Sequence, residues 1–196
     1  MATKNVGKAL QMLSPENYIR KKSRTLPVYE CLINSNWQDD GFANLIIARS
    51  HTNSNITVCF YLIDLYCLGV KNTHFTFNIP LEVYRDKIAK QGHMDFKPIS
   101  YALAHNIIYA GLEFAEEYGF KPHKDFTSVT QYMLDEDTEE VELIEIECGK
   151  DGKPLFICGP YDNQLKVESI LAQLEMTAGA GNYHYILPGT DDEYCQ

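Results

Sequence analysis

The chain has 196 residues, 45% of them hydrophobic and including 13 Tyr and 9 Phe, a composition that excludes a disordered polar chain and fits one globular domain. No apolar run reaches the roughly 20 residues of a membrane span, and the opening MATKNVGKALQML lacks the continuous apolar core of a signal peptide, so a single cytoplasmic domain is expected. The net charge is −10, with residues 1–24 at +5 and the remainder at −15, and an acidic body repels nucleic-acid phosphates.

In chain order, Ser14-Pro15-Glu16 predicts a helix start running to about Lys22, because Ser caps free N–H groups and Pro tolerates the first helical position. Residues 1–25 therefore read as a basic helical arm. Arg20, Lys21, Lys22 and Arg24 are its route to a phosphate backbone, or simply a solvated face balancing the acidic body. Runs at 28–33, 42–49 and 56–66 predict an antiparallel meander, the third strand central because it is apolar on both faces. Residues 74–78 suggest a fourth strand. Pro80 opens a short helix over 81–90, and 98–118 is the main helix, with Ala104, Ile107, Ile108, Leu112 and Ala115 as its buried stripe.

A short helical stretch at 126–134 precedes eight acidic residues between Asp135 and Glu147. Within them VELIEIEC (141–148) alternates like a strand. The Asp151-Gly152 turn predicts a hairpin back through 155–158. A helix over 163–177 follows, then a turn-rich tail. The order indicates an α+β fold: an antiparallel N-terminal sheet with a long packing helix, then a β-hairpin and a C-terminal helix. The expected organisation is one domain over 26–187, in lobes of about 26–96 and 97–187, with an acidic tail at 188–196.

Six cysteines lie at 31, 59, 67, 148, 158 and 195 without C-x-x-C or zinc-finger spacing, which reads as reduced core residues. LPVYECLIN, LIDLYCLGVK, GFKPHKDF and GKDGKPLFICGP together resemble a family of uncharacterised bacterial proteins over about residues 26–185. That resemblance implies a bacterial, single-domain protein. It carries no known activity and no catalytic residues.

Asp64 is the sharpest anomaly, a carboxylate inside an apolar strand, where an unpaired charge is costly. It reads as a metal ligand or general base, or as a structural carboxylate paired with Lys71 or with backbone N–H groups. Glu145, Glu147 and Lys150 would complete with it a metal-dependent, nuclease-like pattern. Equally, Glu-x-Glu beside a turn is a common solvated face. His123, Lys124 and Asp125 sit in a loop stiffened by Pro122 and anchored by Phe120 and Phe126. That frame suits binding on a concave surface, or a connector in which Asp125 caps the next helix. Trp37, alone in a polar loop, is the candidate interface residue. His105 lacks the H-x-x-x-H partner that would hold zinc.

No nucleotide-loop or nucleophile-elbow motif is present. The first reading is therefore a cytosolic, non-enzymatic accessory or protein-interaction module with a protein partner and no cofactor. The alternative is a metal-dependent hydrolase using Asp64 with Glu145 or Glu147, and only that alternative requires a divalent ion.

Overall fold

The structure is a computed structural model that describes residues 13–92 and 94–188. The first twelve residues of the expected arm and the end of the expected acidic tail, with Cys195, lie outside the described residues. The fold is α+β, as the order of elements predicts.

Strands β1 (Val28–Asn34), β2 (Phe42–Ser50), β3 (Ile56–Asp64) and β4 (Gly69–Ile79) form the antiparallel meander. A fifth strand, β5 (Phe96–Ile99), pairs antiparallel with β1, giving the order β4-β3-β2-β1-β5. β3 is interior and covered on both faces. Cys59, Tyr61 and Ile63 enter the main core, whereas Ile56 and Val58 pack with Tyr84 in a second cluster. Tyr84 belongs to α3 (Leu81–Ala89), which follows Pro80 as expected. Burial of both faces accounts for the near-continuous apolar sequence of β3.

Helix α4 (Tyr101–Glu117) covers the main face with Ala104, Ile107, Ile108 and Ala115. It begins later than expected because Pro98 belongs to β5. Pro is tolerated there since β5 is an edge strand, and Ser100 then caps the helix by accepting from the Leu103 N–H at 3.1 Å. The start of β4 crosses α4 closely: a Cβ on Gly111 would lie 2.6 Å from Ile63 Cγ2, and one on Gly69 2.6 Å from the Gly111 carbonyl oxygen.

Three expectations are corrected. First, α1 (Pro15–Lys22) is docked, with Ile19 fully buried in the main core. Second, 141–148 is not a strand of a hairpin. The Asp151-Gly152 turn does form, with φ of 53° and 74° closed by a Lys150–Lys153 bridge. Beyond it the chain departs: β6 (Leu155–Ile157) pairs parallel with β7 (His184–Ile186) across α6 (Gln164–Thr177). Third, the tail after Gly179 contributes β7. This C-terminal unit closes over its own cluster of Cys67, Phe156, Ile170 and Leu174. The main core runs from Ile19 to Leu134, across the lobe boundary expected at 96/97. Among the described residues, no helix is long and apolar enough to cross a membrane.

Candidate functional site: a groove beside an unpaired extended segment

A groove of about 570 Å³ opens between β5, the short helix α2 (Trp37–Asp40), the start of α4 and the segment 144–151. Trp37, Leu65, Ile99, Leu103 and Ile146 give it an apolar floor, and exposed Gln38, Lys97, Glu145, Glu147, Lys150 and Asp151 form its rim.

The wall at 144–151 is positioned by polar anchors at both ends. Upstream, the buried Arg49 donates to the carbonyls of Met133 (2.9 Å) and Leu26 (2.8 Å) and pairs with Asp135 Oδ1 at 3.0 Å. The Tyr101 hydroxyl accepts from the Asp135 N–H at 2.7 Å. In mid-segment, Asn106 of α4 donates to the Glu142 carbonyl (2.9 Å) and accepts from the Ile144 N–H (3.0 Å). Downstream, the Gly149 N–H donates to the Leu65 carbonyl and the Leu155 N–H to the Tyr66 carbonyl, each at 2.9 Å.

Between these anchors the backbone is open. Residues 142–148 run without turn or bend, and exposure alternates: Glu145 and Glu147 exposed, Ile144, Ile146 and Cys148 half-buried. Among the described residues, the N–H groups of Glu145, Ile146, Glu147 and Cys148 have no hydrogen-bond partner, and neither do the carbonyls of residues 144–147. The strand pattern read from VELIEIEC is therefore real as conformation and lacks only a neighbour. β5 is not that neighbour. Its Lys97 and Ile99 line the same groove, and Pro98 has no N–H to offer.

Glu145, Glu147 and Lys150 thus meet in one groove, but Asp64 does not join its lining. Asp64 is 1% exposed. Its Oδ1 accepts from the N–H groups of Tyr66 and Cys67, each at 3.0 Å, and its Oδ2 has no protein partner. Burial raises its pKa to about 6 against the opposing pull of Lys71 and of those backbone donors. The Lys71 ammonium lies 4.0 Å from Asp162 Oδ2 and 5.4 Å from the centre of the Phe42 ring. No group of three His, Cys, Asp or Glu side chains able to hold a metal forms among the described residues.

Trp37 lines the groove but is only 7% exposed, packed into the main core. The loop read as polar folds into α2, which turns the indole inward. The 119–126 loop does not line this groove. Phe126 is buried in the main core and Phe120 packs on the C-terminal cluster, as expected of anchors. The cap of α5 (Lys124–Ser128) is His123, not Asp125: His123 Nδ1 accepts from the Asp125 N–H at 3.2 Å. The His123 N–H donates to the Val70 carbonyl at 2.9 Å, and Asp125 Oδ2 lies 3.9 Å from His123 Nδ1. Lys124 is exposed.

Of the expected basic patch, Arg20 donates to the Ser128 carbonyl, and Arg24 to the Leu134 carbonyl and Glu136. Lys21 and Lys22 remain exposed. Sequence reasoning passed over Arg49 and Asn106, two of the anchors of the groove wall. The signal for Arg49 was the one that exposed Asp64, a charge ending an apolar strand. Asn106 stood in plain view between buried helix positions. No protein-family model, curated protein or solved structure matches the chain.

Proposed function

We propose that this protein is a non-enzymatic interaction module that engages a protein partner through the groove between β5 and residues 144–151. One observation carries the reading: along the groove wall residues 145–148 run extended with backbone N–H groups that have no protein partner among the described residues, as the open edge of a sheet does. The apolar floor beneath an exposed polar rim fits the usual anatomy of such a surface. The setting we assign is the bacterial cytoplasm. Cys31, Cys59, Cys67, Cys148 and Cys158 are all free thiols, in keeping with a reducing compartment.

The hydrolase alternative keeps Glu145, Glu147 and Lys150 in one groove but leaves Asp64 buried and bonded to the N–H groups of Tyr66 and Cys67, which favours the structural role for that carboxylate. The test is site-specific photo-crosslinking in cells that natively express the chain. A photoreactive side chain at position 97 or 150 is expected to capture a discrete protein adduct that a probe at exposed Lys121 does not. Equal labelling at all three positions, or none at 97 and 150, defeats the reading.

A further inference from the structure

We infer that the groove is completed by an added β-strand. An extended segment of a partner protein, alternating basic with β-branched apolar residues, pairs its backbone with residues 145–148. This deepens the interaction reading above and rests on it.

Three observations converge. Residues 145–148 already hold the period-2 exposure of a strand, and among the described residues their backbone groups have no protein partner. An extended chain with open N–H and C=O groups is a template for strand addition, in which main-chain hydrogen bonds give affinity and alternate side chains give specificity. The segment is also held ready. Asn106 fixes its start through Glu142 and Ile144, and the Gly149–Leu65 bond fixes its end, so little ordering entropy remains to be lost on pairing.

The occupant's chemistry follows from the side chains it would face. Glu145 and Glu147 point outward, in a stretch with eight acidic residues between Asp135 and Glu147. Directly opposed residues on a paired strand interact, opposite charges favourably and like charges unfavourably. Lys or Arg therefore belongs beside Glu145 and Glu147, and Val or Ile beside Ile146. The same rule argues against a second copy of this segment, which would set glutamates against glutamates. The opposite wall does not compete, because Pro98 blunts the β5 edge.

The test uses the full chain and a capped octapeptide of alternating lysine and valine. Controls are an alternating glutamate–valine peptide and a lysine–valine peptide N-methylated at every residue, which keeps the charge but has no backbone donor on either edge. Trp37 is the single tryptophan, so its fluorescence reports occupancy of the groove directly. Residue-resolved amide exchange reports pairing. The expected result is a change in Trp37 emission together with slowed exchange at alternate amides, either 145 and 147 or 146 and 148. The glutamate peptide should be silent and the N-methylated peptide weakened. Reversing both charges, Glu145→Lys with Glu147→Lys, should weaken binding by about tenfold, the scale of two opposed charge pairs.

A Trp37 response without alternate-amide protection, or undiminished binding of the N-methylated peptide, overturns strand addition and leaves the groove reading standing. Silence toward the lysine–valine peptide, with crosslinks still captured at 97 and 150, overturns the assigned chemistry alone. Silence in both experiments removes both. Protection of the same amides in a peptide-free dimer, seen by sedimentation, overturns the proposal in favour of a second copy.

Discussion

Two charges stand at or next to the ends of apolar strands in this chain, and their surroundings treat them differently. Arg49 stands next to last in β2 and reaches two carbonyls and a carboxylate, so its burial is compensated by charge-assisted bonds. Asp64 ends β3 with one oxygen bonded and the other unpartnered, so burial raises its pKa from 3.8 to about 6. Between those values the folded state retains a proton that the unfolded chain has released. Asp64 therefore contributes stability that is full below about pH 3.8 and is lost as pH rises through about 6. Asp64→Asn keeps the acceptor for Tyr66 and Cys67 but does not titrate. The stability of the native chain relative to this variant is expected to fall with pH, by up to about 1.4 kcal/mol per unit in that window. Urea midpoints at pH 4 and 7 check this, and a pH-independent difference refutes it. Asn106 acts at the same scale. Asn106→Ala should cost about 1–3 kcal/mol, since it strands two backbone groups of the groove wall, and should speed amide exchange at Ile144 before exchange in the sheet.

Among the elements, the strands of the meander and the stripe of α4 were readable because period and two-sided burial are properties of the sequence itself. Ser14 was readable as the cap of α1 for the same reason, since a cap acts over three residues, whereas Ser100 caps α4 inside the span expected to be helix. What the sequence could not convey is which element comes to lie beside which. VELIEIEC alternates whether or not a strand sits next to it, and the Asp151-Gly152 turn closes without the hairpin it normally joins. Trp37 in a polar run carries no mark of the core that α2 folds it into. The 119–126 loop shows the same limit in a testable form. The loop is legible as a stiff connector, but the cap that its sequence offers is Asp125. Because His123 Nδ1 accepts from the Asp125 N–H, His123→Ala should cost about 1 kcal/mol, the usual worth of a cap. Lys124→Ala should stay within about ±0.5 kcal/mol. Equal and negligible effects in thermal melts would return His123 to the surface.

At the scale of the whole molecule, what looked like an arm is a brace. A basic N-terminal helix on an acidic chain has an obvious electrostatic reading, yet electrostatics sets only a weak preference at exposed distances. Apolar burial decides the placement. Ile19 is fully buried in the core that also holds Met133 and Leu134, and Ser23 donates to the carbonyl of Tyr132 while Arg24 donates to that of Leu134. The 3₁₀ turn at Thr130–Met133 is thereby held between α1 and the sheet, and the acidic segment toward the groove leaves from its end. Removing a fully buried Ile side chain costs about 2–5 kcal/mol, a large share of the 5–15 kcal/mol typical of a domain. Ile19→Ala should therefore lower the denaturation midpoint of the whole chain in a single transition, reported alike by Trp37 fluorescence and by circular dichroism. A freely appended arm predicts a change within about ±0.5 kcal/mol. Such a result, or an early separate transition confined to helical signal, would return residues 15–25 to the status of an appendage.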